Sequence, residues 1–317
     1  MISKFKKFLS AILAVTFFAA IFWLNPNFAN AEVELFSDIV LSDDAAYNQK
    51  CREYINSLPQ KTNYKSKKPP ILIGGALNVE TELLIKSLKN PAVYRDMNYT
   101  FVAGNYKDYQ TVIYITGENQ GNAAASTALA IQKFKPVAVI NQGTAGGHIP
   151  TLYLNDIVIG EKSFDSTAYM TKYQAAGEGI DITTQEMREV ESYDKEVGYF
   201  KHYKEYYADS TLLQIAKKVA DNHKEFKTIV GTIATGNTWS NGIDHINFIH
   251  EKYGSTCEEM ETNAVAQICK NADMPFIGIR VISNNITNGV KHNGTSAYTC
   301  QKFVLLVVDE YTKTLQK

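Results

Sequence analysis

The sequence predicts an α/β protein: a three-layer α/β/α sandwich around a mixed, mostly parallel central sheet. Two observations carry this. Short apolar runs alternate with longer segments whose apolar residues recur at helical spacing, from Ile71 almost to the C-terminus. The stretches that follow the apolar runs are rich in glycine and polar side chains, as expected where strands open towards a ligand.

Taken in order, residues 45–58 read as a short helix and residues 65–70 as an extended linker. Consecutive Pro69 and Pro70 forbid helix there. Residues 71–75 are a strand. Leu83, Leu84 and Leu88 give residues 79–88 a helical face. Residues 99–104 and 111–116 read as strands joined by a turn, and residues 122–134 as an alanine-rich helix. A strand at 137–140 is broken by the glycines of residues 143–147, and another follows at 156–160. Residues 171–206 are long and polar and read as an insertion. Then come a helix at 211–222, a strand at 228–235, a helix at 243–252, a strand at 256–260, a helix at 263–271, a strand at 276–283 and a last helix at 297–315.

Hydrophobic residues make up 45% and charged residues 21% of the 317, an ordinary globular balance. The formal net charge of -1 supplies no basic surface, so nucleic acid is not an expected partner. Lys4, Lys6 and Lys7, an apolar run over residues 8–24, and Ala29-Asn30-Ala31 predict a secretory signal peptide over residues 1–31 and an exported protein, with an uncleaved membrane anchor as the alternative. Losing those three lysines would take the net charge from -1 to -4. The expected organisation is therefore a signal peptide (1–31), an N-terminal extension and linker (32–70) and one folded domain (71–317). Cys51, Cys257, Cys269 and Cys300 permit disulfides in an oxidising compartment and equally fit buried thiols. No Cys or His spacing suits a metal, so neither metal nor cofactor is expected.

Four strand-end segments carry chemistry. Gly75 and Ala76 precede Glu80. Gly143, Thr144, Ala145, Gly146 and Gly147 form a glycine-rich stretch. Glu258, Glu259, Met260 and Glu261 form an acidic run that fits either a ligand or a solvated edge, and Arg280 is followed by Ser283 and Asn284. In this order, with the turn at 116–125 and Trp239 following Gly236, they resemble the methylthioadenosine/S-adenosylhomocysteine nucleosidases of the purine nucleoside phosphorylase superfamily. The resemblance spans residues 71–316.

That resemblance implies hydrolysis of the N-glycosidic bond of a purine nucleoside. Glu80 would activate a water, with Thr144 and Arg280 helping to hold it. Glu261 would accept the ribose hydroxyls, Met260 would cover the sugar and Trp239 would stack on the base. Ala145, Gly146, Ser240 and Ser283 would complete the substrate pocket, and the protein would be a homodimer. One position departs from the family: Asn284 stands where the methylthioadenosine enzymes carry an aspartic acid that protonates the leaving purine. An amide donates a hydrogen bond but releases no proton. A 6-oxopurine nucleoside or futalosine-type substrate is therefore the alternative, and a non-catalytic exported nucleoside-binding protein is a further one. Arginines for a phosphate dianion are missing from residues 74–82 and 116–125, which favours water over phosphate as nucleophile.

Overall fold

In the strand β1 (Ile71–Gly75) every residue is buried, and its side chains part between two cores. Ile71 and Ile73 join one cluster and Leu72 the other, the period-two alternation of a strand covered on both faces. The computed structural model describes residues 45–315. From Lys50 onward these form one compact unit. The segment expected to be extension and linker lies within it from there on. Cys51 and Ile55 of helix α1 (Ala45–Ser57) are buried, and Tyr64 packs edge-on against Tyr94 and Phe134. The signal-peptide reading falls on residues 1–31, outside the described residues.

The other strands of the main sheet are β2 (Lys89–Asp96), β3 (Tyr99–Tyr106), β4 (Tyr109–Ile115), β5 (Ala138–Gly147), β6 (Ile157–Asp165), β11 (Tyr206–Tyr207), β12 (Thr228–Thr235), β13 (Ser255–Glu259) and β14 (Phe276–Asn284). They run in the order β11-β6-β12-β13-β5-β1-β4-β3-β2, with β14 pairing both β5 and β6. That double pairing closes β6, β12, β13, β5 and β14 into a ring. Each of the five contributes to one buried cluster, through Val158, Ile233, Cys257, Ala145 and Ile282. The sheet is mixed: β1 runs parallel to β4 and β5, and β14 parallel to β5, whereas β14 opposes β6.

The helices form the outer layers. On one face α2 (Asn78–Lys86), α4 (Ser210–Asn222) and α7 (Ala297–Leu315) supply Leu84, Leu212, Phe303, Val304 and Val307 to the first core. On the other, α3 (Gln120–Phe134) and α6 (Thr262–Asn271) supply Ala123, Ala130, Val265 and Cys269 to the second. Helix α5 (Ile243–Tyr253) packs against β13.

Two elements differ from the sequence reading. Strand β2 went unrecognised because Asn90 has φ 52 and Pro91 breaks its register with β3, irregularities tolerated at a sheet edge. The glycines at 143–147 do not interrupt the chain: β5 runs through them to Gly147. Within residues 171–206, β9 (Val190–Asp194) pairs with β10 (Tyr199–Tyr203), and β8 (Glu186–Met187) pairs with β7 (Tyr169–Met170) just before the segment. The segment is braced on the domain, since the Met187 N–H donates to Tyr253 Oη at 2.9 Å.

Candidate active site

Glu80 lies in the first turn of α2, just beyond β1, and is 3% exposed. Its Oε2 accepts the N–H groups of Ala76 at 2.9 Å and Leu77 at 3.1 Å. Its Oε1 accepts the N–H of Thr144 at 2.7 Å and the Thr144 hydroxyl at 2.9 Å. Four donors and no acceptor surround the group, the environment of a carboxylate. The turn thus converts orphan N–H groups at a helix start into a clamp for a catalytic side chain.

Gly143 explains why the glycine stretch sits beside it. A Cβ there would lie 2.6 Å from Arg280 Nη1 and 2.7 Å from Glu80 Oε1. Only glycine lets both groups converge on that point.

Arg280 is 1% exposed and lies behind the carboxylates rather than in open space. It pairs with Glu259 and, at 3.6 Å, with Glu261. It donates to Asn141 and to the Thr262 hydroxyl at 2.9 and 3.1 Å. Glu259 in turn accepts the N–H groups of Glu261 and Thr262 at the start of α6, each at 2.9 Å from Oε2. The solvated-edge reading of the acidic run is overturned: Glu258, Glu259 and Glu261 are all buried. Sequence inspection missed Glu259 as the partner of Arg280. The signal was its placement three residues before Thr262, the first residue of α6, where an acid complements the dipole.

Glu261 accepts the N–H of Asn119 at 3.0 Å. Burial first, then the negative charge of Glu259, push its carboxyl up to about 8, against the opposing pull of Arg280. One buried guanidinium therefore faces three buried carboxylates, Glu80, Glu259 and Glu261. Such a cluster of acidic side chains favours a cationic group and disfavours a phosphate dianion.

Of the remaining predicted residues, Asn284, Ser283 and Ala145 lie on β14 and β5 beside Gly146, whereas Trp239 and Ser240 are placed by contacts to His292 and Glu258. Asn284 ends β14 in register with Gly146 of β5, and its Nδ2 lies 3.4 Å from where a Gly146 Cβ would be. Ser283 donates its hydroxyl to Asn284 Oδ1 at 3.1 Å and reaches the Ala145 carbonyl at 3.3 Å. Ala145 is buried in the ring cluster. Met260 is half-buried between Glu259 and Glu261. Trp239 is 47% exposed, edge-on to His292 with ring centres 5.6 Å apart. Ser240 donates its N–H and hydroxyl to Glu258, both at 3.0 Å. All four cysteines are buried free thiols.

The fold and the site together define an α/β protein with a cluster of buried carboxyl groups at the carboxyl ends of its strands. The model of the Phosphorylase superfamily matches residues 70–316, and the chain belongs to that family. Among its relatives, the 5′-methylthioadenosine/S-adenosylhomocysteine nucleosidase of Geobacillus sp. (strain WCH70) is 30% identical over 68% of this chain and 84% of its own length. That of Bacillus licheniformis is 31% identical over 68% and 85%. The Neisseria meningitidis nucleosidase structure, in complex with methylthio-immucillin-A, covers 76% of this chain and 99% of its own, with TM-score 0.61 and 24% identity. The futalosine hydrolase of Helicobacter pylori covers 76% and 97%, with TM-score 0.60 and 20% identity. These structures share the fold.

Proposed function

We propose that this chain hydrolyses the N-glycosidic bond of a purine nucleoside, releasing the free base and the ribosyl product. The names of its relatives support 5′-methylthioadenosine and S-adenosylhomocysteine as the substrate type. The single observation that carries the reading is the four-donor clamp on Glu80, set against the same glycine as Arg280, which pairs with Glu261.

In this reaction Glu80 orients a water towards the anomeric carbon and takes its proton as the C–O bond forms. The bond from that carbon to the purine breaks, and its electron pair leaves with the base. Glu261, in its ionised form, accepts the ribose hydroxyls and stabilises the cationic sugar better than the neutral one. Met260 covers the sugar and Trp239 stacks on the base. Asn284 donates a hydrogen bond to N7 and no proton, so the departing base is protonated from solvent. General acid catalysis of this kind contributes about 10²–10⁴ in rate, and sugar-cation stabilisation carries more of the effect here. Arg280 holds Glu259 and Glu261 in place without touching substrate.

The identity of Asn284 favours a second reading, a 6-oxopurine nucleoside, which shares the sugar chemistry and differs only in the base. The test is incubation of the purified protein with methylthioadenosine, adenosylhomocysteine, inosine and adenosine in phosphate-free buffer, with free base measured chromatographically. Release of base without phosphate is expected. Nucleosides that bind but stay intact would make it a binding protein. Export and a homodimer whose second subunit closes the 5′ pocket belong to the same proposal, supported by the pattern of residues 1–31 and by the family resemblance. Cell fractionation and light scattering test them.

A further inference from the structure

Two buried glutamines hold the backbone of the helix that carries Glu80. Gln301 lies in the second turn of α7 and Gln142 on β5, and both are 0% exposed. Gln301 reaches across to α2. Its Oε1 accepts the N–H groups of Leu83 at 2.9 Å and Leu84 at 3.3 Å. Its Nε2 donates to the Val79 carbonyl at 2.8 Å and, within its own helix, to the Ala297 carbonyl at 3.1 Å. The Val79 carbonyl and the Leu83 N–H are the two groups that an α-helix ordinarily joins to each other. One side-chain amide therefore grips α2 at residues that flank Glu80 on both sides.

Gln142 takes hold of Glu80 itself: its Nε2 donates to the Glu80 carbonyl at 2.7 Å. It comes this close because Gly75 carries no side chain. A Cβ there would stand 2.6 Å from Gln142 Nε2 and 3.3 Å from Glu80 Cβ.

The core does not require these amides. Helices α2 and α7 already share one apolar cluster, through Leu84, Ile85, Val304 and Val307 among others. Apolar contact is non-directional, so it opposes separation of the helices and resists little a rotation or slide of α2. The four hydrogen bonds of Gln301 match the capacity of an amide, two donors and two lone pairs. A buried network satisfied in this way has one good geometry, and it specifies that geometry. The Glu80 carboxylate depends on such a lock, because its clamp joins separate elements: Ala76 and Leu77 precede α2, whereas Thr144 lies on β5. Rotation of α2 would draw the carboxylate away from Thr144. Misplacing a catalytic group by about 1 Å costs on the order of 10²-fold in rate.

We propose that Gln301 and Gln142 are positioning residues, which fix α2 against α7 and β5 and so keep Glu80 aimed at the reacting carbon. This rests on the nucleosidase reading of Glu80 and extends it to residues that do not touch substrate. The test exchanges Gln301 for methionine, which keeps the length of the side chain and loses its hydrogen bonds. Base-release kinetics are combined with amide hydrogen exchange read residue by residue. Gln301→Met should lower kcat about 10- to 100-fold while KM stays within about threefold. Exchange should speed up at Leu83 and Leu84, and also at Thr144, whose N–H donates to Glu80 from β5. A glutamine that only docks two helices would alter Leu83 and Leu84 alone, so unchanged exchange at Thr144 overturns the proposal. A kcat within twofold of wild type overturns it too, as does a raised KM with kcat intact. If Gln301→Met does not fold, Gln142→Met carries the same readouts by releasing the Glu80 carbonyl. Should the wild type release no base from any nucleoside, the nucleosidase reading fails. Exchange at Thr144 then decides by itself whether the glutamines hold Glu80.

Discussion

Replacing Gly143 with alanine should disable the reaction while leaving the protein folded. The added Cβ would stand 2.6 Å from Arg280 Nη1, 2.7 Å from Glu80 Oε1 and 2.9 Å from Glu80 Cδ. Ordinary contact begins near 3.4 Å, so these groups must retreat by about 0.5 to 0.8 Å, or the strand must move. Neither neighbour yields easily: four hydrogen bonds hold the Glu80 carboxylate, and Arg280 is pinned by Glu259, Asn141 and Thr262. Overpacking of this kind costs about 1–3 kcal/mol, which in a domain of this size lowers Tm by several degrees. The kinetic effect is larger, since misplacing a catalytic group by about 1 Å costs on the order of 10²-fold. The assay is base release under saturating substrate, with circular dichroism melting on the same preparation. A folded Gly143→Ala protein with kcat within twofold of wild type would refute the claim that Glu80 and Arg280 converge tightly on this glycine.

Glu261 gives a pH dependence with a definite sign. Its carboxyl is pushed up to about 8, so it is protonated below that pH and charged above it. Since the ionised form grips the ribose, kcat/KM should rise about tenfold per pH unit on the acid side and level off near 8. Glu261→Gln should lower kcat/KM and abolish that limb; a flat wild-type profile from pH 6 to 9, in about that window, contradicts the assignment. The thiols make a separate prediction. Burial pushes Cys257, Cys269 and Cys300 up, and all four cysteines are free. A thiol reagent should therefore react with the denatured chain and hardly at all with the native one, and a reductant should leave Tm unchanged. A reductant-dependent Tm would mean that disulfides form.

Much of this architecture is written in local pattern. β1 is a pure apolar run because both of its faces are covered, and α7 carries Cys300, Phe303, Val304, Val307, Val308 and Tyr311 at helical spacing. The strand–turn–helix settings of Glu80 and of the acidic run were legible for the same reason. What the sequence concealed depends on contacts made across the chain. Nothing local distinguishes Gly143 as a strand residue from a turn glycine; its role is set by Glu80 and Arg280, which arrive from other elements. Glu258 and Glu259 look alike in sequence, yet successive strand residues face opposite ways. One meets Arg280 and the start of α6, the other Ser240 and His148. The closure of β14 onto both β5 and β6 is likewise a pairing that no single segment encodes.

Glu80→Gln tests the core of the mechanism most directly. The exchange keeps the size of the side chain but turns one oxygen into an NH2, which accepts neither the proton of water nor the hydrogen bonds of the donors that face it. With substrate binding measured by calorimetry and turnover by base release, affinity should stay within about threefold while kcat falls by about 10²–10⁴. A variant that binds substrate and turns it over at the wild-type rate would show that water is activated elsewhere.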